Sequence, residues 1–197
     1  MIEYLRIIFR YVRGFLAHTE ETWRHLNEPD VPEAQTDYML RKYYWPLVAF
    51  GALCIFLLHG NGVLLNSKLT YDAPFSLEYG MKGAVGFALK YVGGPTLAML
   101  AIGQFFCRVT DTSIKKNNLE IFVYYSMSIV LLIDLFCSFM PTMKFLSFIS
   151  LFVVYVVWIG SSEYLNIPRG LNGFFWVVSS VSIYFSPALI ELLLSKF

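Results

Sequence analysis

Hydrophobic positions fall along this chain in long unbroken runs separated by short polar stretches. From Tyr43 to Ser67 there is no Asp, Glu, Lys or Arg, and comparable runs cover Phe145 to Ser162 and Gly170 to Ile190. A bilayer core of about 30 Å is crossed by about 20 mostly apolar helical residues, so runs of this size predict membrane spans. Five are expected, at about 43–65, 80–106, 119–140, 143–164 and 171–194. The second is the least regular, because it carries Lys82, Lys90 and the triplet Gly93-Gly94-Pro95. Proline removes a backbone donor and glycine weakens a helix, so a kinked helix break is expected at Gly93, Gly94 and Pro95.

The first forty residues follow another pattern. Residues 2–17 read as an amphipathic helix in which Arg6, Arg10 and Arg13, spaced four and three apart, form one basic face. Leu5, Ile8, Phe9, Val12, Phe15 and Leu16 cover the other side. Such a helix lies in a membrane interface or packs on the protein's own spans; either arrangement puts its interfacial basic face at the cytoplasmic surface. Thr19-Glu20-Glu21 opens a second short helix carrying Trp23, and Asn27 to Asp37, with two prolines and four acids, reads as a turn-rich linker. The expected organisation is a cytoplasmic amphipathic helix and linker over 1–42, then a five-helix transmembrane domain over 43–197. The fold class is all-α, a polytopic membrane protein.

Composition agrees with lipid as the solvent: 57% of residues are hydrophobic and mean hydropathy is +0.57. The net charge of +1 says little, but the placement of the charges gives an orientation. With five spans and the N-terminus inside, ten basic residues fall on the cytoplasmic side (Arg6, Arg10, Arg13, Arg24, Arg41, Lys42, Arg108, Lys115, Lys116 and Arg169). Three, Lys68, Lys144 and Lys196, fall outside. The N-terminus is therefore expected in the cytoplasm and the C-terminus outside. Glu3, Arg6, Arg10 and Arg13 interrupt the start too often for a cleaved signal peptide. Basic residues are too few for a nucleic-acid partner. Cys54, Cys107 and Cys137, an odd number in apolar settings, read as packing residues.

Catalytic patterns are missing: there is no G-x-S-x-G, H-E-x-x-H, phosphate-binding glycine loop or C-x-x-C. His59 has no second ligand at metal spacing, and neither an enzyme nor a cofactor is expected. Ionisable groups inside spans are the candidates that remain. Lys90 and Asp134 fall within about 5 Å of the same depth on consecutive spans, at about 1.5 Å of rise per residue, which predicts an intramembrane ion pair. It pins two helices together, or serves a proton or ion relay with Glu191, or Lys90 snorkels to the interface instead. Gly80, Gly83, Gly86, Gly93, Gly94 and Ala98 read as sites of close helix packing.

Several short segments carry a further likeness. They are Glu21-Thr22-Trp23 before the first span, Lys90-Tyr91-Val92-Gly93-Gly94-Pro95 in the second, and Tyr124-Tyr125-Ser126 at the start of the third. A hairpin through Pro141 leads into Leu151-Phe152-Val153-Val154-Tyr155. Together with the span layout, these make the chain resemble the Yip family of integral membrane proteins, whose eukaryotic members interact with Rab/Ypt GTPases. The resemblance implies a cytoplasmic N-terminal segment, five clustered spans and self-association, with no catalytic residue. The Asp-Leu-Tyr-Gly-Pro form of the eukaryotic element is absent and the N-terminal segment is short, which points to a prokaryotic-type member in a bacterial inner membrane. The expected function is a non-catalytic interaction, scaffold or membrane-organising role. Its partners would be the lipid bilayer and other membrane proteins or a second copy. The alternative is a small transporter or channel subunit using Lys90 and Asp134.

Overall fold

A computed structural model describes residues 2–28, 30–61, 75–110, 114–139 and 151–195. Every regular element among these residues is helical. Helix α1 is Ile2–Ala17 and α2 is Thr19–Leu26. Four helices are long and apolar enough to cross a membrane: α3 (Thr36–Gly60), α4 (Leu77–Thr110), α5 (Lys116–Phe139) and α7 (Arg169–Leu194). Between the last two lies a shorter apolar helix, α6 (Phe152–Glu163). The chain is an all-α polytopic membrane protein. The start of the expected 143–164 span, with Pro141 and Lys144, lies outside the described residues, as do Lys68 and Lys196.

Helix resumes at Thr36, at the end of the linker, and the first span continues it without interruption. A π turn at Leu40–Tyr44 comes just before Pro46. The proline ring crowds an ordinary i−4 carbonyl, and the wider turn relieves that contact without ending the helix. At Gly93, Gly94 and Pro95 the expected break does not interrupt the helix: the α-helical part of α4 runs from Leu77 to Ala101, with Pro95 inside it. A π segment follows at Ile102–Cys107.

The physical reason is an outside donor. A helical proline leaves the carbonyl four residues earlier without its hydrogen bond, and here that carbonyl belongs to Tyr91. The Tyr44 hydroxyl of α3 donates to it at 2.7 Å. Glycine at 93 and 94 then lets α7 approach, since a Cβ at Gly93 would lie 3.1 Å from Ile190 and one at Gly94 3.4 Å from Pro187.

Helix α5 is the axis of the bundle, buried without interruption from Ile121 to Leu131. The other long helices turn large apolar side chains outward: Phe50, Leu53 and Leu57 on α3, Leu89 and Leu100 on α4, Val177, Val181 and Phe185 on α7. A helix buried all round belongs at the centre, and apolar outer faces suit lipid.

The N-terminal residues form a cap over one end of this bundle. Tyr11 packs its ring on Tyr43 and Tyr125, with centroids 5.9 and 5.1 Å apart, and Phe15 packs on Trp23 at 4.9 Å. Trp23 is fully buried against Phe122 and Tyr164, and its indole N–H donates to the Val156 carbonyl at 3.1 Å. Glycine at 160 makes this possible, because a Cβ there would lie 2.7 Å from the Trp23 ring. Outside the ring core, Arg24 pairs with Glu163 at 2.8 Å. The Asn117 carboxamide accepts from Thr36 Oγ1 at 2.6 Å and donates to the Ala34 carbonyl at 3.3 Å, which holds the linker to the start of α5.

Candidate functional site

At the end of the bundle opposite the cap, three helices converge on one ammonium group. Lys90 of α4 places its Nζ 2.8 Å from Asp134 Oδ2 of α5 and 3.0 Å from Glu191 Oε2 of α7. The Tyr91 hydroxyl donates to the same Asp134 oxygen at 2.9 Å. Lys90 therefore serves two carboxylates at once, while Asp134 is bound from two consecutive residues of α4. The lysine side chain is 16% exposed and that of Glu191 69% exposed, so the cluster grades from a shielded centre to an open rim.

A groove of about 380 Å³ leads to this cluster, lined among others by His59, Lys82, Lys90, Asp134, Ser138 and Glu191. Gly83 keeps it open on one side: a Cβ there would lie 2.6 Å from His59 Nδ1. At the rim Lys82 pairs with Glu78 one turn away at 2.8 Å. Lys90 alone faces the two carboxylates of the cluster, and Lys82 at the rim brings the lining to two lysines and two acids. Among the described residues no group of three His, Cys, Asp or Glu side chains could hold a metal ion.

Lys90 and Asp134, matched in depth on consecutive helices, are in direct contact. Glu191, weighed from the sequence as a relay partner, makes direct contact with Lys90 from the last turn of α7. Tyr91 and Tyr44 are the members that sequence reasoning missed. Tyr91 sits beside Lys90, and its carbonyl is the one that Pro95 orphans, so the need for a donor was visible in the spacing. Nothing local to the sequence pointed to Tyr44 as that donor. Gly93, Gly94 and Pro95 lie within two turns of Lys90 on α4 and set its packing on α7, apart from the charged groups themselves.

At the other end of the molecule, Arg6, Arg10 and Arg13 are exposed on α1. Burial and then the charge of Glu33 raise the pKa of the neighbouring Tyr11 phenol well above its ordinary value. No family model, curated protein or solved structure matches this chain.

Proposed function

We propose that this chain is a non-catalytic membrane protein of the Yip type, acting as an interaction or membrane-organising scaffold. Its cap faces the cytoplasm of a bacterial inner membrane and its C-terminus lies outside. The reading rests on the cap. A core of Tyr11, Phe15, Trp23, Tyr43 and Tyr125 fastens the N-terminal helices to the bundle, while Arg6, Arg10, Arg13, Glu20 and Glu21 face outward. A rigid, charged platform binds other macromolecules with less loss of freedom than a loose tail. The likeness to the Yip family supports the same reading, since Trp23 of Glu21-Thr22-Trp23 is the residue that seats the cap.

Cross-linking of the full chain in native membranes, followed by mass spectrometry, tests it. The expected outcome is a reproducible link from cap peptides to another membrane protein or a second copy, with no protein-dependent ion flux after reconstitution. A cap that yields no links, together with flux through the purified protein, overturns it.

The groove at Lys90 favours one second reading, a small transporter or channel subunit. It leads to a shielded lysine shared by two carboxylates, with Glu191 at its open rim. That reading requires proteoliposome flux that Asp134→Asn abolishes.

A further inference from the structure

Helix α1 has three sectors, because each residue turns about 100° around the axis. Ile7, Tyr11 and Phe15 face the bundle and are buried. Arg6, Arg10 and Arg13 form a second sector, fully on the surface. Between them run Phe9, Val12 and Leu16, an apolar strip that is bare at both ends: Phe9 is 68% and Leu16 56% exposed, with Val12 half-buried between them. Of the apolar face read from the sequence, Phe15 is buried against the bundle while Phe9 and Leu16 point outward, and Ile7 and Tyr11, which join Phe15, were not part of it.

The basic sector and the strip meet in a shallow pocket of about 400 Å³ lined by Arg6, Phe9, Arg10, Arg13, Gly14 and His18. Its lining holds no acid. Arg10 reaches Glu33 only at 3.8 Å, and His18 lies 3.6 Å from Glu21, so positive charge remains in excess at the pocket. We infer that this pocket seats an anionic phospholipid, its phosphate held by Arg6, Arg10 and Arg13 and an acyl chain laid along Phe9 and Leu16.

Three observations select this occupant. Guanidinium groups bind phosphate oxygens through paired N–H donors, which accounts for the charge and the residue type. A water-soluble anion has no use for the bare aromatic and aliphatic flank, whereas an amphiphile needs both parts. The location also fits. Tyr11 of α1 packs on Tyr43, which stands two residues before Trp45 in the Arg41-Lys42-Tyr43-Tyr44-Trp45 run. Basic and aromatic residues in such a cluster mark the headgroup level. The lipid takes the same Arg6, Arg10 and Arg13 that the cap turns outward. Its retention by the purified protein is read with no protein partner present, so failure here is distinguishable from failure of the cross-linking experiment.

Native mass spectrometry of the full-length protein, released from detergent and titrated with phosphatidylglycerol, phosphatidylcholine or inorganic phosphate, decides it. Wild type is expected to retain phosphatidylglycerol over phosphatidylcholine. Each arginine contributes about fivefold near an anionic lipid, so the triple variant R6Q/R10Q/R13Q loses on the order of a hundredfold. The variant F9S/L16S weakens phosphatidylglycerol retention while leaving the charges in place. All five positions are exposed, and an unchanged tryptophan emission spectrum verifies that the cap stays seated. Equal retention of both lipids, or retention that neither variant alters, overturns the proposal. Tight binding of inorganic phosphate that ignores F9S/L16S overturns it in favour of a soluble anion.

Discussion

A proline inside a transmembrane helix leaves a carbonyl facing hydrocarbon, where an unsatisfied polar group costs several kcal/mol. Tyr44 removes that penalty at Tyr91 through a single hydroxyl. Tyr44→Phe should therefore lower stability by about 1–3 kcal/mol, read as a lower thermal midpoint in detergent. In a Pro95→Ala background, where the helix regains its own N–H donor, the same change should cost much less. Equal costs in both backgrounds would show that the hydroxyl serves some other purpose. The shared lysine leads to a second, asymmetric prediction. Asp134→Asn keeps an acceptor for Tyr91 and leaves Lys90 paired with Glu191, so the loss should stay under about 1 kcal/mol. Lys90→Met leaves two carboxylates facing each other without their cation and should cost about 1–3 kcal/mol. If the thermal midpoints fall in the reverse order, Lys90 is not the hub.

At the scale of elements, α6 shows how a short helix is held in place. Its Val154 and Val156 carbonyls accept indole N–H groups from Trp176 of α7 and Trp23 of α2, at 3.0 and 3.1 Å. The second contact depends on bare backbone at Gly160. Gly160→Ala should push Trp23 out of its slot, at about 1–3 kcal/mol for an overpacked site. Red-shifted tryptophan emission and faster proteolysis after α2 would report it, while emission unchanged from wild type would mean that the slot has slack. The cap should also respond to pH. Folding favours the neutral Tyr11 phenol, so its contribution is complete below the unfolded value of about 10 and is lost as pH rises through the higher folded value. Tyr11→Phe should delay alkaline release of the cap, followed by the same emission. Hydrophobic runs and basic flanks made the long helices legible to within several residues at each end. The helix start at Thr36 falls at the end of a stretch that reads as a linker, and its support comes from Asn117, 81 residues away. Proline and glycine spacing suggested a break in α4 because local rules count only local donors.

For the whole molecule, charge depth gave one contact correctly in kind, because two consecutive spans run in opposite directions and their rise per residue is fixed. The third partner came from α7, whose position depends on how Gly93 and Gly94 meet Ile190 and Pro187. Periodicity does not encode that packing. The division of α1 into buried, bare and basic sectors was invisible for a similar reason. Both sectors are apolar, Ile7, Tyr11 and Phe15 in one and Phe9, Val12 and Leu16 in the other, and packing on Tyr43 and Tyr125 covers the first.

Tyr43 and Tyr44 are adjacent, yet their hydroxyls reach different helices. Ser128 of α5 spends its own proton on the Tyr125 carbonyl at 2.6 Å, so Tyr43 donates to Ser128 at 2.7 Å, while Tyr44 donates to α4. The first span is thus tethered on two flanks at one level. It can pivot about that level, but rolling about its long axis would have to break both tethers at once.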